Sequence, residues 1–199
     1  RAGTASELAD DTLALALWHI AAATHTRIGF ESVEFIRLHF SLKELPTFPV
    51  SSREEALKAA VAGNPRYEWR AIGDFAMVRP KTEWNDARNP FNQRVTNLRV
   101  EHTTDIGAFH GLREVVYARP FAAGEGSVEK PVAFNMESGT VLDAFNYVIQ
   151  SADNVMWHAV YRPNARPDQR TPNWDLQLQQ YDATQQRGEI GSCRACGER

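Results

Sequence analysis

One stretch of this chain is written twice, and that constrains its architecture more than any other feature. Pro49 to Trp69 reads PVSSREEALKAAVAGNPRYEW, and the second run ends TVLDAFNYVIQSADNVMW at Trp157. Aligned without gaps, Ala56 falls on Ala144, Leu57 on Phe145, Ala60 on Val148, Val61 on Ile149 and Trp69 on Trp157. Each copy then passes through a second apolar stretch to an Arg-Pro pair, Arg79-Pro80 and Arg162-Pro163. Self-similarity of this kind marks repeated supersecondary units. The repeat core is expected at Ala56, Leu57 and Trp69 in one copy and at Ala144, Phe145 and Trp157 in the other. Each tryptophan is expected to close its helix onto a sheet.

Each copy carries its own helix start. Ser52 and Glu55 form an S-x-x-E capping pattern, and Thr140 and Asp143 repeat the logic. Gly63-Asn64-Pro65 stops the first helix. Tyr67, Trp69 and Ala71 then alternate up to Gly73-Asp74, and Phe75 to Val78 returns the chain, which predicts a two-residue hairpin. Upstream, Asp10-Asp11-Thr12 offers a helix start ahead of Leu13, Leu17, Ile20 and Ala21, which recur at helical spacing. Strands are expected over Arg27–Phe35 and Phe48–Ser51. In the second half they are expected from Val95 to Val100, Val132 to Met136 and Val155 to Tyr161, with a helix begun by Thr103 or Thr104 between the first two.

This reading divides the chain of 199 residues into five parts. Residues 1–10 form a flexible arm and 11–80 a first module. A polar linker covers 81–92, a second module 93–163, and an extended tail 164–199. The expected fold class is α+β: two tandem small βαββα-type modules, with helices packed on short mixed sheets. The tail holds one candidate strand, 173–181, in which Trp174, Leu176 and Leu178 alternate with Asp175, Gln177 and Gln179. A strand on a polar leash can add to a sheet edge of its own subunit or to that of a neighbour. The second case makes Trp174, Leu176 and Leu178 an intersubunit strand and the protein a homo-oligomer or polymer.

Two small cores are marginal on their own, so packing of module on module, or subunit on subunit, is expected. The net charge of -3 gives no nucleic-acid footprint. No apolar run reaches the length of a membrane span. No nucleophile elbow, phosphate loop or dinucleotide fingerprint occurs. The paired acids Asp10-Asp11 and Glu54-Glu55 sit at helix starts, where the helix dipole accounts for them. The histidines lack the three- or four-residue spacing that puts two ligands on one helix face. No catalytic, metal-binding or cofactor-binding residue is therefore assigned, and the expectation is a protein that is not an enzyme. Cys193 and Cys196 form a C-x-x-C in a Gly-rich terminus. A disulfide is the first reading, with free thiols or redox and metal chemistry as the alternatives. Trp84, in the linker, is a candidate interface anchor.

The runs Ser52-Arg53-Glu54-Glu55-Ala56-Leu57 and Thr140-Val141-Leu142-Asp143-Ala144-Phe145, each followed by an aromatic strand and an Arg-Pro stop, resemble the short N-terminal (STN) domain of secretins and TonB-dependent receptors. That resemblance covers roughly residues 8–163, as two copies. It implies an extracellular or periplasmic setting, a role in protein–protein contact, other envelope proteins as partners, and no catalysis. An N-terminal Arg1 in place of Met fits either the loss of a leader or a piece of a longer chain. With no pore or barrel in the chain, the resemblance leaves two readings. One is a secreted structural protein that assembles into a filament or envelope complex. The other is a monomeric module that binds protein or peptide at a sheet edge.

Overall fold

The computed structural model describes residues 5–33, 52–116, 130–152, 156–163 and 174–181. The fold is α+β, with helices packed on short mixed sheets. In chain order the elements are α1 (Ala5–Thr24), β1 (Arg27–Ser32), α2 (Arg53–Ala62), β2 (Tyr67–Ile72), β3 (Phe75–Pro80), a 3-10 turn (Pro90–Asn92), β4 (Arg94–Thr104), α3 (Asp105–Val116), β5 (Pro131–Thr140), α4 (Val141–Ser151), β6 (Met156–Pro163) and β7 (Trp174–Tyr181).

The local signals act as the sequence indicates. The Ser52 side chain accepts from Glu55 N at the head of α2, and α2 ends against Gly63. At α4 the capping box is complete. Thr140 Oγ1 accepts from Asp143 N at 3.2 Å, and Asp143 Oδ2 accepts from Thr140 N at 2.8 Å. Ile72 and Phe75 pair across Gly73-Asp74, and Gly73 takes the positive φ of 55° that such a tight turn needs. Residues 1–10 are not all an arm, because α1 begins at Ala5. Ser6-Glu7-Leu8-Ala9 are serviceable helix residues that simply extend the apolar pattern backward. The strand expected to reach Phe35 ends at Ser32. The strand expected at Phe48–Ser51 lies outside the described residues, as do Cys193 and Cys196.

Topology brings the larger departure. Five strands form one sheet in the order β2-β3-β1-β6-β7, while β4 and β5 form a separate two-stranded antiparallel ribbon. The central strand β1 runs parallel to both neighbours: to β3 with Ile28 opposite Ala76, and to β6 with Gly29 opposite Trp157. The tandem arrangement of two self-contained sheets is thus not what forms. A strand of the second repeat completes the sheet of the first, across residues 81–92. The physical reason lies in β1, β3 and β6 themselves. From Ile28 on, β1 is buried, as is β3 throughout. A strand covered on both faces gains most from a parallel neighbour of the same kind.

Side chains alternate across this sheet. Ile28, Phe30, Ala76, Val78 and Met156 face one core, which α1 and α2 cover with Leu13, Leu17, Ile20 and Leu57. Phe75, Met77, Trp157 and Ala159 face the other, filled by Phe145, Val148 and Ile149 of α4 and backed by Leu98, Val100 and Val132 of the ribbon. Helix α4 therefore lies between the sheet and the ribbon. Four of the six repeat-core residues, Ala56, Leu57, Ala144 and Phe145, are buried at matching helix positions, but the two tryptophans part company. Trp157 is fully buried in the second core, and Trp69 is half-buried against the first. Trp157 lies on an inner strand and Trp69 on the edge strand, so only one is covered by neighbouring strands on both sides.

Candidate functional site

Residues 81–92 were expected to be a spacer, yet their side chains reach into the second core. Phe91 is fully buried, 5.5 Å from the Phe145 ring and 5.8 Å from that of Trp157. Asn89 and Asn92 tie the segment to a buried ion pair. Arg79 Nε donates to Glu31 Oε2 at 2.5 Å, and Arg79 Nη1 donates to Asn92 Oδ1 at 2.7 Å. Asn89 Nδ2 donates to Glu31 Oε1 at 2.6 Å and to Glu83 Oε2 at 2.7 Å. Asn92 Nδ2 in turn donates to the carbonyls of Glu83 and Asp86. Burial pushes the Glu31 carboxyl above its ordinary value, against the opposing pull of Arg79 and Asn89. Trp84 serves this cluster from outside: its ring lies 4.2 Å from the Arg70 guanidinium and 5.3 Å from that of Arg79. A buried pair held this closely fixes a loop on a sheet. The signal in the sequence was a polar, aperiodic run, which does not distinguish a solvated linker from one whose asparagines are bonded to a buried ion pair.

A second polar pair joins the two repeats. Ser32 Oγ and His158 Nε2 are 2.9 Å apart, both buried, with the His158 ring stacked on Phe30. It crosses from β1 to β6 and reinforces their register.

Two surface features remain. The first is the outer edge of β2. Lys81 N donates to Arg66 O, and Tyr67 N donates to Asn64 O instead of to β3. Along an antiparallel strand the backbone groups alternate in direction. Glu68, Arg70 and Ile72 therefore aim theirs at β3, while Trp69 and Ala71 aim theirs away from it. Among the described residues no strand lies on that side.

The second feature is a cleft of about 240 Å³ at the hairpin end of β2, where the turn Ile72–Phe75 meets the ribbon and α4. Ile72, Phe75 and Met136 make its apolar lining, and Ser138, Asn146 and Tyr147 contribute polar atoms. Asp74 and Asp143 supply two carboxylates, and no Lys, Arg or His lines it. The Tyr147 ring, 42% exposed, stacks on Phe134 at 5.4 Å.

Of the residues singled out from the sequence, the cleft gathers Asp143, the cap of the second repeat helix, with the Gly73-Asp74 turn of the first hairpin. It gathers none of the histidines. The strand expected around Trp174, Leu176 and Leu178 forms as β7. It pairs with β6 of its own chain, Met156 opposite Tyr181 through Pro163 opposite Trp174, the own-subunit form of the two pairings open to it. An apolar period-two run cannot specify whose edge it joins. Among the described residues no helix is long and apolar enough to cross a membrane.

Comparison with known proteins returns no matching family model, no matching curated protein and no matching solved structure.

Proposed function

We propose that this chain is a non-catalytic protein-binding module of the cell envelope, which takes up an extended segment of a partner along the outer edge of β2. One observation carries this reading. Trp69 and Ala71 direct backbone N–H and C=O groups outward from a short edge strand, with no described strand beside them. Such an edge is a template for strand addition. Its residues Arg70 and Ala71 are exposed, so a peptide would meet them without unfolding anything.

The test is to select extended peptides from a displayed library on the full chain and to follow amide exchange in the complex. Slowed exchange at the Trp69 and Ala71 amides is expected. Ala71→Pro removes one outward donor and leaves the β3 ladder intact, so it should abolish binding without lowering the melting temperature. Peptides that bind equally well to Ala71→Pro would rule the edge out.

A second reading, self-assembly, draws on the position of β7. It is an edge strand reached through residues 164–173, and the eight-residue pairing with β6 could be made with equal geometry by a neighbour's β7. Light scattering separates the readings: exchange of β7 gives a mass that rises with protein concentration, while the binding module stays a monomer.

A further inference from the structure

We infer that the segment bound along the β2 edge brings a carboxylate to Arg70, and that this carboxylate displaces the Trp84 ring from the Arg70 and Arg79 guanidiniums; this rests on the reading of the chain as a peptide-binding module. Geometry comes first. Arg70 stands between Trp69 and Ala71, whose backbone groups aim outward. It lies opposite Met77, on the face of the sheet that carries the second core. Residues opposite one another on adjacent strands share a face, with Cβ atoms about 5 Å apart. The residue of an added segment that falls opposite Arg70 therefore meets both the Arg70 side chain and the Trp84 ring, which lies 4.2 Å from its guanidinium. Arg70 is half exposed, and its present partner is the surface acid Glu68, a kind of pair that exchanges readily.

Two unpaired donors supply an independent indication. Arg79 is only 2% exposed. Its Nε and Nη1 are engaged by Glu31 and Asn92, but its Nη2 is buried with no hydrogen-bond partner. The indole Nε1 of Trp84, whose ring is 5.3 Å from that guanidinium, is buried without a partner as well. A buried donor left unbonded is costly, so the closed arrangement is penalised twice at one place. No hydrogen bond from the indole nitrogen anchors the ring. Packing and its two cation–π contacts hold it.

Charge decides what replaces the ring. Two guanidiniums here face the electron-rich surface of an indole, which is a weak substitute for an anion. A carboxylate only accepts, on two oxygens, and matches the planar donors of a guanidinium. Once the ring swings out, such a group meets Arg70 and the unpaired Nη2 of Arg79, and the indole nitrogen is released to water. The acids already present do not fill this role. Glu31 is bonded through Oε2 to Arg79 Nε and through Oε1 to Asn89, and Glu83 Oε2 is bonded to Asn89, yet Nη2 stays without a partner. Glu31, Glu68 and Glu83 do offset part of the positive charge, so a free carboxylate binds in the millimolar range and the tighter binding comes from the strand that carries it.

The probe is sodium propionate, titrated into the full-length chain at constant ionic strength, with propionamide as its uncharged counterpart, and read at the Trp84 indole N–H by NMR. A saturable shift is expected with propionate and none with propionamide. Arg70→Gln, a change at a half-exposed side chain, should weaken propionate binding by about threefold to fivefold. Trp84→Leu removes the competing ring and should strengthen it by roughly threefold, read at the Arg70 and Asn92 amides. Absence of a saturable shift, or equal shifts with propionamide, overturns the site. Among peptides that bind the β2 edge, Glu→Gln opposite Arg70 should cost about fivefold in affinity on the wild type and nothing on Arg70→Gln; amidating the peptide's C-terminus tells a terminal carboxylate from a side-chain one. Propionate carries no strand, so its binding survives Ala71→Pro, and the edge fails only by that experiment.

Discussion

The indole of Trp157 lies over Gly29, its register partner on the adjoining parallel strand: a Cβ built on Gly29 would stand 2.8 Å from Trp157 Cε2 and Cζ2, and 2.5 Å from Met77 Sδ. The end of the Met77 side chain can shift. A ring packed against Phe91 and Phe145 and hydrogen-bonded to Asn146 has nowhere to go. Gly29→Ala should therefore destabilise the protein by about 1–3 kcal/mol, measured by urea unfolding. Unchanged stability would mean that the ring moves freely and that this contact does not tie the repeats together.

Removing the cation from the buried pair should cost more. Arg79→Met keeps the apolar stem of the side chain but leaves Glu31 buried without its cation, held by Asn89 alone. Breaking one side of such a pair costs about 3–5 kcal/mol. Because Asn92 also loses its donor, residues 81–92 should become susceptible to protease before the rest of the chain unfolds. Limited proteolysis with mass mapping checks that order.

His19 gives the fold a dependence on acidity. Burial holds its pKa below the ordinary 6.5, so the folded state favours the neutral ring. In the unfolded chain the ring takes up its proton near 6.5. The contribution is complete above 6.5 and is lost as pH falls from there through the folded-state value. The urea midpoint should decline over that interval in the wild type, and His19→Gln should remove that part of the decline. An identical pH profile for the two proteins would assign the loss to other groups.

A chain ending at Pro163 lacks β7 and leaves the outer side of β6 without the strand that covers it. Uncovered edges recruit other copies. The truncated protein should fold, keep its helical circular dichroism, and self-associate at concentrations where the full chain does not. Sedimentation velocity reads this directly; a truncated chain that stays monomeric would show that the β6 edge is protected by something other than β7.

The elements of this fold were legible where a local rule sets them. Ser52 and Thr140 begin α2 and α4, Gly63 ends α2, and Gly73-Asp74 turns β2 into β3, because capping and turn chemistry act within a few residues. What could not be read was which strand lies beside which. Nothing near Ile28 specifies Met156 as its neighbour, since parallel pairing leaves no mark on spacing or turn residues. For the same reason the repeat suggested two closed units where one sheet spans both. The cleft was illegible too. Asp143 read as a helix cap and Asp74 as a turn residue, which they are, and only the tertiary fold sets them around one space. Asn146 gave no signal, because its role depends on Trp157 eleven positions away.

The position of β1 also carries a consequence for synthesis. It is made well before β6, one of its two neighbours, and the Ser32–His158 contact spans 126 positions. While the ribosome is still translating the second repeat, the apolar row Ile28–Phe30 has β3 on one flank and bare backbone on the other. Contacts this distant in the chain form slowly, and incomplete sheets invite wrong partners. The nascent protein would therefore depend on a chaperone, or on holding the first repeat loosely, until β6 has emerged.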